Sequence, residues 1–142
     1  MSALSNSIEN KLLDHSLGTA SYSAPASVYI GLFTSDPSTG STSENLEAGI
    51  MTNEVSGGSY ARQVATFNAA SGGSASTSAT VTFPTATANW GTITHVAVID
   101  SDQTDSAGQG EVIYYGLLDT AKIIETGDTF QITTGNLTIT LA

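Results

Sequence analysis

Apolar positions near the start of the chain recur at helical spacing. Ile8, Leu12, Leu13 and Leu17 share one face. Asn6 with Glu9 three residues on reads as a capping box, and Gly18 as a C-terminal stop. The spacing predicts a short helix of about three turns, which must pack on this domain or on a neighbour to be stable. From there the pattern turns to β. VYIGLFT (28–34) is apolar and β-rich and ends in a turn at Asp36-Pro37. RQVATF (62–67) and ATVTF (79–83) alternate, the second stopping at Pro84, and THVAVID (94–100) reads as a buried strand. VIYYGLL (112–118), KII (122–124), TFQIT (129–133) and LTITL (137–141) complete about eight short strands, with turns at Gly127-Asp128 and Gly135-Asn136. NAASGGSAST (68–77) reads as a flexible turn, and SDQTDSAGQGE (101–111) as a polar loop. Residues 35–53, around Leu46, Ile50 and Met51, read as a long excursion containing a helical turn, the kind of loop that is usually functional or mobile.

Short strands at ~8–12-residue spacing, with no helices between them, indicate antiparallel packing and not a parallel βαβ sheet. The expected fold is mainly β: an antiparallel β-sandwich or jelly-roll-like domain with one short N-terminal α-helix. One domain is expected over 1–142, with 1–18 as the helical segment and 28–142 as the sandwich.

Composition narrows the function. There is no cysteine, hence no disulfide, no thiol nucleophile and no cysteine zinc site. Three Lys+Arg face thirteen Asp+Glu, for a net charge of -10. Lys11, Arg62 and Lys122 are too few and too scattered to displace the counterions of a nucleic acid, and an anionic membrane surface is disfavoured for the same reason. The longest apolar stretches, such as VAVI (96–99), are strand-sized, and MSALSNSIENKLL lacks a basic segment followed by an apolar run. The expectation is a protein made in a cytosol and kept there or assembled into something larger, with neither nucleic acid nor membrane as partner.

Candidate chemistry is sparse. EVSGGSYARQVATF (54–67) sets a glycine pair near a basic residue, as phosphate loops do. It lacks the Lys-Ser/Thr pair and the following helix that such a loop needs. Gly57 and Gly58 therefore read as turn residues, with Tyr60 and Arg62 opening a strand. Arg62 is expected to pair with a carboxylate, or to hold a subunit contact. His15 and His95 are far apart in sequence and no G-x-S-x-G elbow occurs, so neither a hydrolase triad nor a histidine metal site is indicated. Asp100, Asp102 and Asp105, with Glu111 after them, are calcium candidates, set against a solvated acidic turn. Their spacing departs from the EF-hand loop, because Thr104 stands fifth and no glycine stands sixth. Tyr114 and Tyr115 are adjacent and so face opposite sides of a strand, one to the core and one to the surface. Trp90, in ATANWGT, is expected to anchor its loop on the core. No catalytic constellation and no cofactor site emerges, and the make-up suits a non-enzymatic structural or binding module.

Several phrases together are more specific. ENKLLDHSLG, VYIGLFTSDP, EVSGGSYARQ, VTFPTATANWGTITHVAVID and GDTFQITTGNLTITLA, running from Glu9 to Leu141, resemble a family of small phage and prophage virion proteins. Its members are often labelled phage tail fibre protein or phage structural protein. GLFTSDP, SGGSYAR and FPTATANWGT carry most of the likeness. TGSTSENLEAGIMTN, between Asp36 and Glu54, and the 101–110 loop look longer than the family pattern, and such insertions fall on the partner-facing surface. The resemblance implies a virion component without enzymatic activity, assembled in the host cytoplasm. Such proteins serve as capsid decoration (cement) proteins or as tail, baseplate or fibre parts. The favoured expectation is a capsid decoration protein, a homo-oligomer and specifically a trimer, bound to the major capsid protein or other virion proteins. It would stabilise the lattice by mass action and multivalency, through segment 1–18 and loop 35–56. The alternative is a tail, baseplate or fibre-associated protein, for which receptor binding would call for an exposed aromatic or carbohydrate-binding surface.

Overall fold

The computed structural model describes residues 3–38, 51–103 and 110–141. Along the chain come β1 (Ala3–Leu4), α1 (Asn6–Ser16), β2 (Val28–Phe33), β3 (Gln63–Ala65), β4 (Ser74–Ser76) and β5 (Val81–Thr82). They are followed by β6 (Gly91–Ile99), β7 (Val112–Ile124), β8 (Gln131–Ile132) and β9 (Thr138–Thr140). A five-stranded sheet runs β1-β7-β6-β2-β3, and two ribbons pair β4 with β9 and β5 with β8. Every pairing is antiparallel. The fold is thus mainly β with one short helix, and its division into one sheet and two ribbons corresponds more closely to a sandwich than to a jelly roll.

Alternation along the strands explains the two faces of the sheet. Ile30 and Leu32 of β2, with Val96 and Val98 of β6, turn inward onto Val81, Phe83, Phe130 and Ile132 of the ribbon layer. Phe33, Ala97 and Ile99 turn to the other face and pack with Val112. Runs such as IGLF and VAVI are apolar throughout because both sides of β2 and β6 are covered.

The sides of the two layers are joined differently. After β3 the chain crosses between them: the Asn68 N–H donates to the Ser76 carbonyl at 2.9 Å and the Ser78 N–H to the Thr66 carbonyl at 2.8 Å. On the opposite side no ladder joins β7 to β8 or β9 among the described residues. Here β7 is also irregular. Ile93 pairs with Lys122 and His95 with Leu117, so four residues of β7, 118 to 121, oppose only Thr94 of β6.

Several boundaries differ from expectation. VIYYGLL and KII are one strand, β7, carried through that bulge. β4 lies inside the expected flexible turn 68–77; its Ser-Ala-Ser sequence has no apolar alternation, and main-chain bonding to β9 defines it. β1 is two residues long and left no periodic trace. The helix is capped by Ser5 and not Asn6: Ser5 is extended and its Oγ accepts the Ile8 N–H at 3.5 Å, so Asn6 is the first helical residue. Gly18 ends the helix as expected. With φ +75° it allows a Schellman closure, in which the Gly18 N–H reaches the His15 carbonyl at 3.3 Å and the Thr19 N–H reaches Asp14 at 2.9 Å. The excursion after β2 returns to it, since the Val55 N–H donates to the Leu32 carbonyl at 2.9 Å. Leu46, Ile50 and the helical turn expected there lie outside the described residues, whereas Met51 packs beside Phe33 and Ile99.

Candidate functional site

The SGGSYAR phrase folds into a buried clamp. Gly57, Gly58 and Ser59 all take positive φ, at 74°, 57° and 64°. This turns the chain so that the Tyr60 N–H donates to the Gly57 carbonyl at 2.9 Å. The Gly58 carbonyl accepts from Trp90 Nε1 and from the Thr87 N–H, each at 3.0 Å. A side chain at Gly58 would set its Cβ 2.9 Å from Trp90 Nε1, so glycine is required by space as well as by φ. Tyr60 then enters the core, edge-on to Trp90 with ring centroids 5.5 Å apart and stacked on Phe83 at 6.2 Å.

At the far end of the clamp Arg62 and Glu54 form a two-pronged ion pair, Nε to Oε1 and Nη2 to Oε2, both 2.7 Å. Their side chains are 0% and 4% exposed. Arg62 Nη1 also donates to the Ser101 carbonyl at 2.8 Å, tying the clamp to the end of β6. The Tyr60 hydroxyl donates to Glu54 at 2.8 Å and accepts the Leu32 N–H at 2.9 Å. Burial, and next the Glu54 charge, push the Tyr60 hydroxyl well above its usual pKa. The expected carboxylate pairing of Arg62 holds, and its burial removes the subunit-contact alternative. Trp90 anchors its loop on the core as expected. The partner the sequence reading did not name is Glu54, eight residues before Arg62 in the same phrase.

The other candidates are dispersed. His15 Nδ1 accepts the Tyr22 N–H at 3.1 Å near the helix end, while His95 Nδ1 lies 2.8 Å from Thr94 Oγ1 in β6. Asp100 Oδ1 accepts the Glu111 N–H at 2.6 Å, and Asp102 Oδ1 accepts from Gln103 Nε2 at 3.0 Å. Asp105 lies outside the described residues. Among the described residues no group of three His, Asp or Glu is placed to hold a metal. Tyr114 and Tyr115 do face opposite sides, but both are half-buried, Tyr114 against the main core and Tyr115 against the Phe33 cluster.

The surface feature that stands out is α1. Its first turn is fixed: Ile8 is buried, and the Ser5 N–H donates to the Ile113 carbonyl at 3.3 Å. Lys11 Nζ bonds Glu111 Oε2 at 2.6 Å, which raises the lysine pKa. Beyond that turn the helix stands clear of the sheet. Leu13 is 57% exposed and Leu17 73% exposed, next to an apolar groove of about 510 Å³ lined by Leu4, Leu12, Leu13 and Leu141. Leu141 reaches this patch from the other end of the sequence, which no local pattern could announce.

No helix among the described residues is long and apolar enough to cross a membrane. Among curated proteins, none matches the chain significantly. The family model described as Podophage GP4 fiber I protein gp80 matches residues 3–140. That match spans α1, the clamp and every strand, and on it the chain belongs to this family of phage virion structural (fibre) proteins.

Proposed function

We propose that the protein is a non-enzymatic structural component of a phage fibre, docked in the virion through the exposed face of α1. The helix carries the reading. An isolated helix of 11 residues is marginal in water and is normally held by burying its apolar face. Here that face is open: Leu13, Leu17 and Leu141 are exposed together, and contiguous exposed apolar surface marks interaction sites. Glu9 and His15 border the groove on a molecule of net charge -10. The fitting occupant is another virion protein with an apolar ridge edged by Lys and Arg, since complementary charge steers and registers such contacts.

The family is described as that of a fibre protein, which favours the fibre-associated alternative over capsid decoration. Segment 1–18 is the contact expected for capsid decoration, and the open face of α1 extends that docking reading to a fibre component. The experiment is a phage carrying Leu13→Ser and Leu17→Ser in this gene. The variant chain should fold and accumulate in infected cells yet be missing from purified particles. Particles that retain it at the normal level would overturn the assignment of α1 as the docking element.

A further inference from the structure

The side of the molecule where β7 meets no ladder is a cleft. Two adjoining cavities of about 560 and 250 Å³ share Leu118, Asp119, Asn136 and Leu137. The larger falls in the range of ligand sites, roughly 300–1,000 Å³, and the smaller extends it. The cleft exists because of the four-against-one bulge in β7, which draws residues 118–121 out of the ladder. Bulges gather next to binding sites because they re-aim side chains, and this one sets Asp119 and Lys122 on the rim of the larger cavity.

Two further observations narrow the occupant. Of the three basic residues, Lys11 and Arg62 are in ion pairs. Among the described residues Lys122 is in none, and Asp119 has no hydrogen-bond or ion-pair partner either. The cleft therefore offers an unengaged carboxylate and an unengaged ammonium. Its floor is apolar, from Leu118, Leu137 and Phe130, all packed on or in the core.

This chemistry excludes most ligand classes. A single lysine beside an aspartate, on a molecule of net charge -10, disfavours an anion. The same lysine disfavours a metal cation. An added peptide strand needs a regular edge, and the bulge removes it over 118–121. A neutral ring with one apolar face and many hydroxyls meets every feature. We propose that the cleft binds a carbohydrate. The C–H face of a sugar lies on Leu118 and Leu137, and its hydroxyls donate to Asp119 and accept from Lys122.

The test is an NMR titration of the ¹⁵N-labelled full chain with methyl glycosides of a neutral hexose and of an N-acetylhexosamine. Each is taken to about 100 mM, which detects even millimolar binding. Shifts confined to amides of residues 117–122 and 129–137, saturating with a millimolar-range Kd, are expected for at least one sugar. Asp119→Asn and Lys122→Ala should each weaken that binding about tenfold, with unchanged melting temperature because both positions are exposed. Unmoved cleft amides, or equal affinity in both variants, would overturn the proposal. So would burial of those amides in a self-associated form, which would make the seam an interface between copies. The cleft and the α1 patch share no lining residue, so failure of one leaves the other standing.

Discussion

Glu54 and Arg62 sit almost wholly out of water, where an ion pair is tolerated only with full hydrogen bonding. Tyr60, Ser101 and the Leu32 N–H complete that bonding. Gly31 belongs to the same arrangement: a Cβ there would come 2.9 Å from Ile99 Cδ1 and 3.0 Å from Glu54 Oε1. Removing one partner strands the other charge, so Glu54→Gln should cost about 3–5 kcal/mol in urea denaturation. The double change Glu54→Leu with Arg62→Met should recover part of that loss; additive losses would contradict the pairing. Tyr60→Phe leaves the Leu32 N–H without its side-chain acceptor and removes one of the donors to Glu54, costing about 1–3 kcal/mol at neutral pH. The hydroxyl also governs alkaline stability. Its folded pKa lies above the ordinary 10.0, so the unfolded chain ionises first. The stability tied to its neutral form is complete below pH 10.0 and is lost as pH rises toward the folded value. Urea midpoints between neutral pH and about pH 11 should fall less steeply in Tyr60→Phe than in the parent, with Tyr22, Tyr114 and Lys11, whose pKa values are also raised, contributing to the remaining slope. At this scale the sequence was informative about type and silent about partner. A lone arginine in an acidic chain had to meet a carboxylate, but thirteen acidic residues were available and only the folded turn selects Glu54.

α1 shows what periodicity can and cannot convey. Ile8, Leu12, Leu13 and Leu17 announced both a helix and an apolar face, and Gly18 announced its end. Whether that face meets this chain or another depends on where β1 docks, through Ala3 and Leu4 on Tyr115 and Tyr114. Only Ile8 of the apolar set is buried, so the face is left outward. Leu13→Ser with Leu17→Ser should therefore change the melting free energy by no more than about 0.5 kcal/mol, as surface substitutions do, while abolishing incorporation into particles. A large loss of stability measured by calorimetry would mean that the face is already covered within the molecule. Strands with large alternating side chains were legible in the same way. β4 and β1 were not, because ladder hydrogen bonds made by Ser, Ala and a two-residue segment leave no hydrophobic signature.

Across the whole molecule the two layers are laced together by the β3–β4 crossing on one side and left apart at β7 on the other. Such a body has one closed flank, one cleft and a projecting helix. The fold class was readable from strand spacing, and the virion family from a few phrases. The bulge that opens the cleft was not readable: it arises from a register shift between strands whose sequences are separately unremarkable. The central claim is a fibre component. It is tested most directly by absolute quantitative mass spectrometry of purified virions, counting this chain against the major capsid protein. The account expects a low copy number set by the tail, a small multiple of its rotational symmetry. A count comparable to the capsid protein itself would place the chain on the capsid lattice and contradict it.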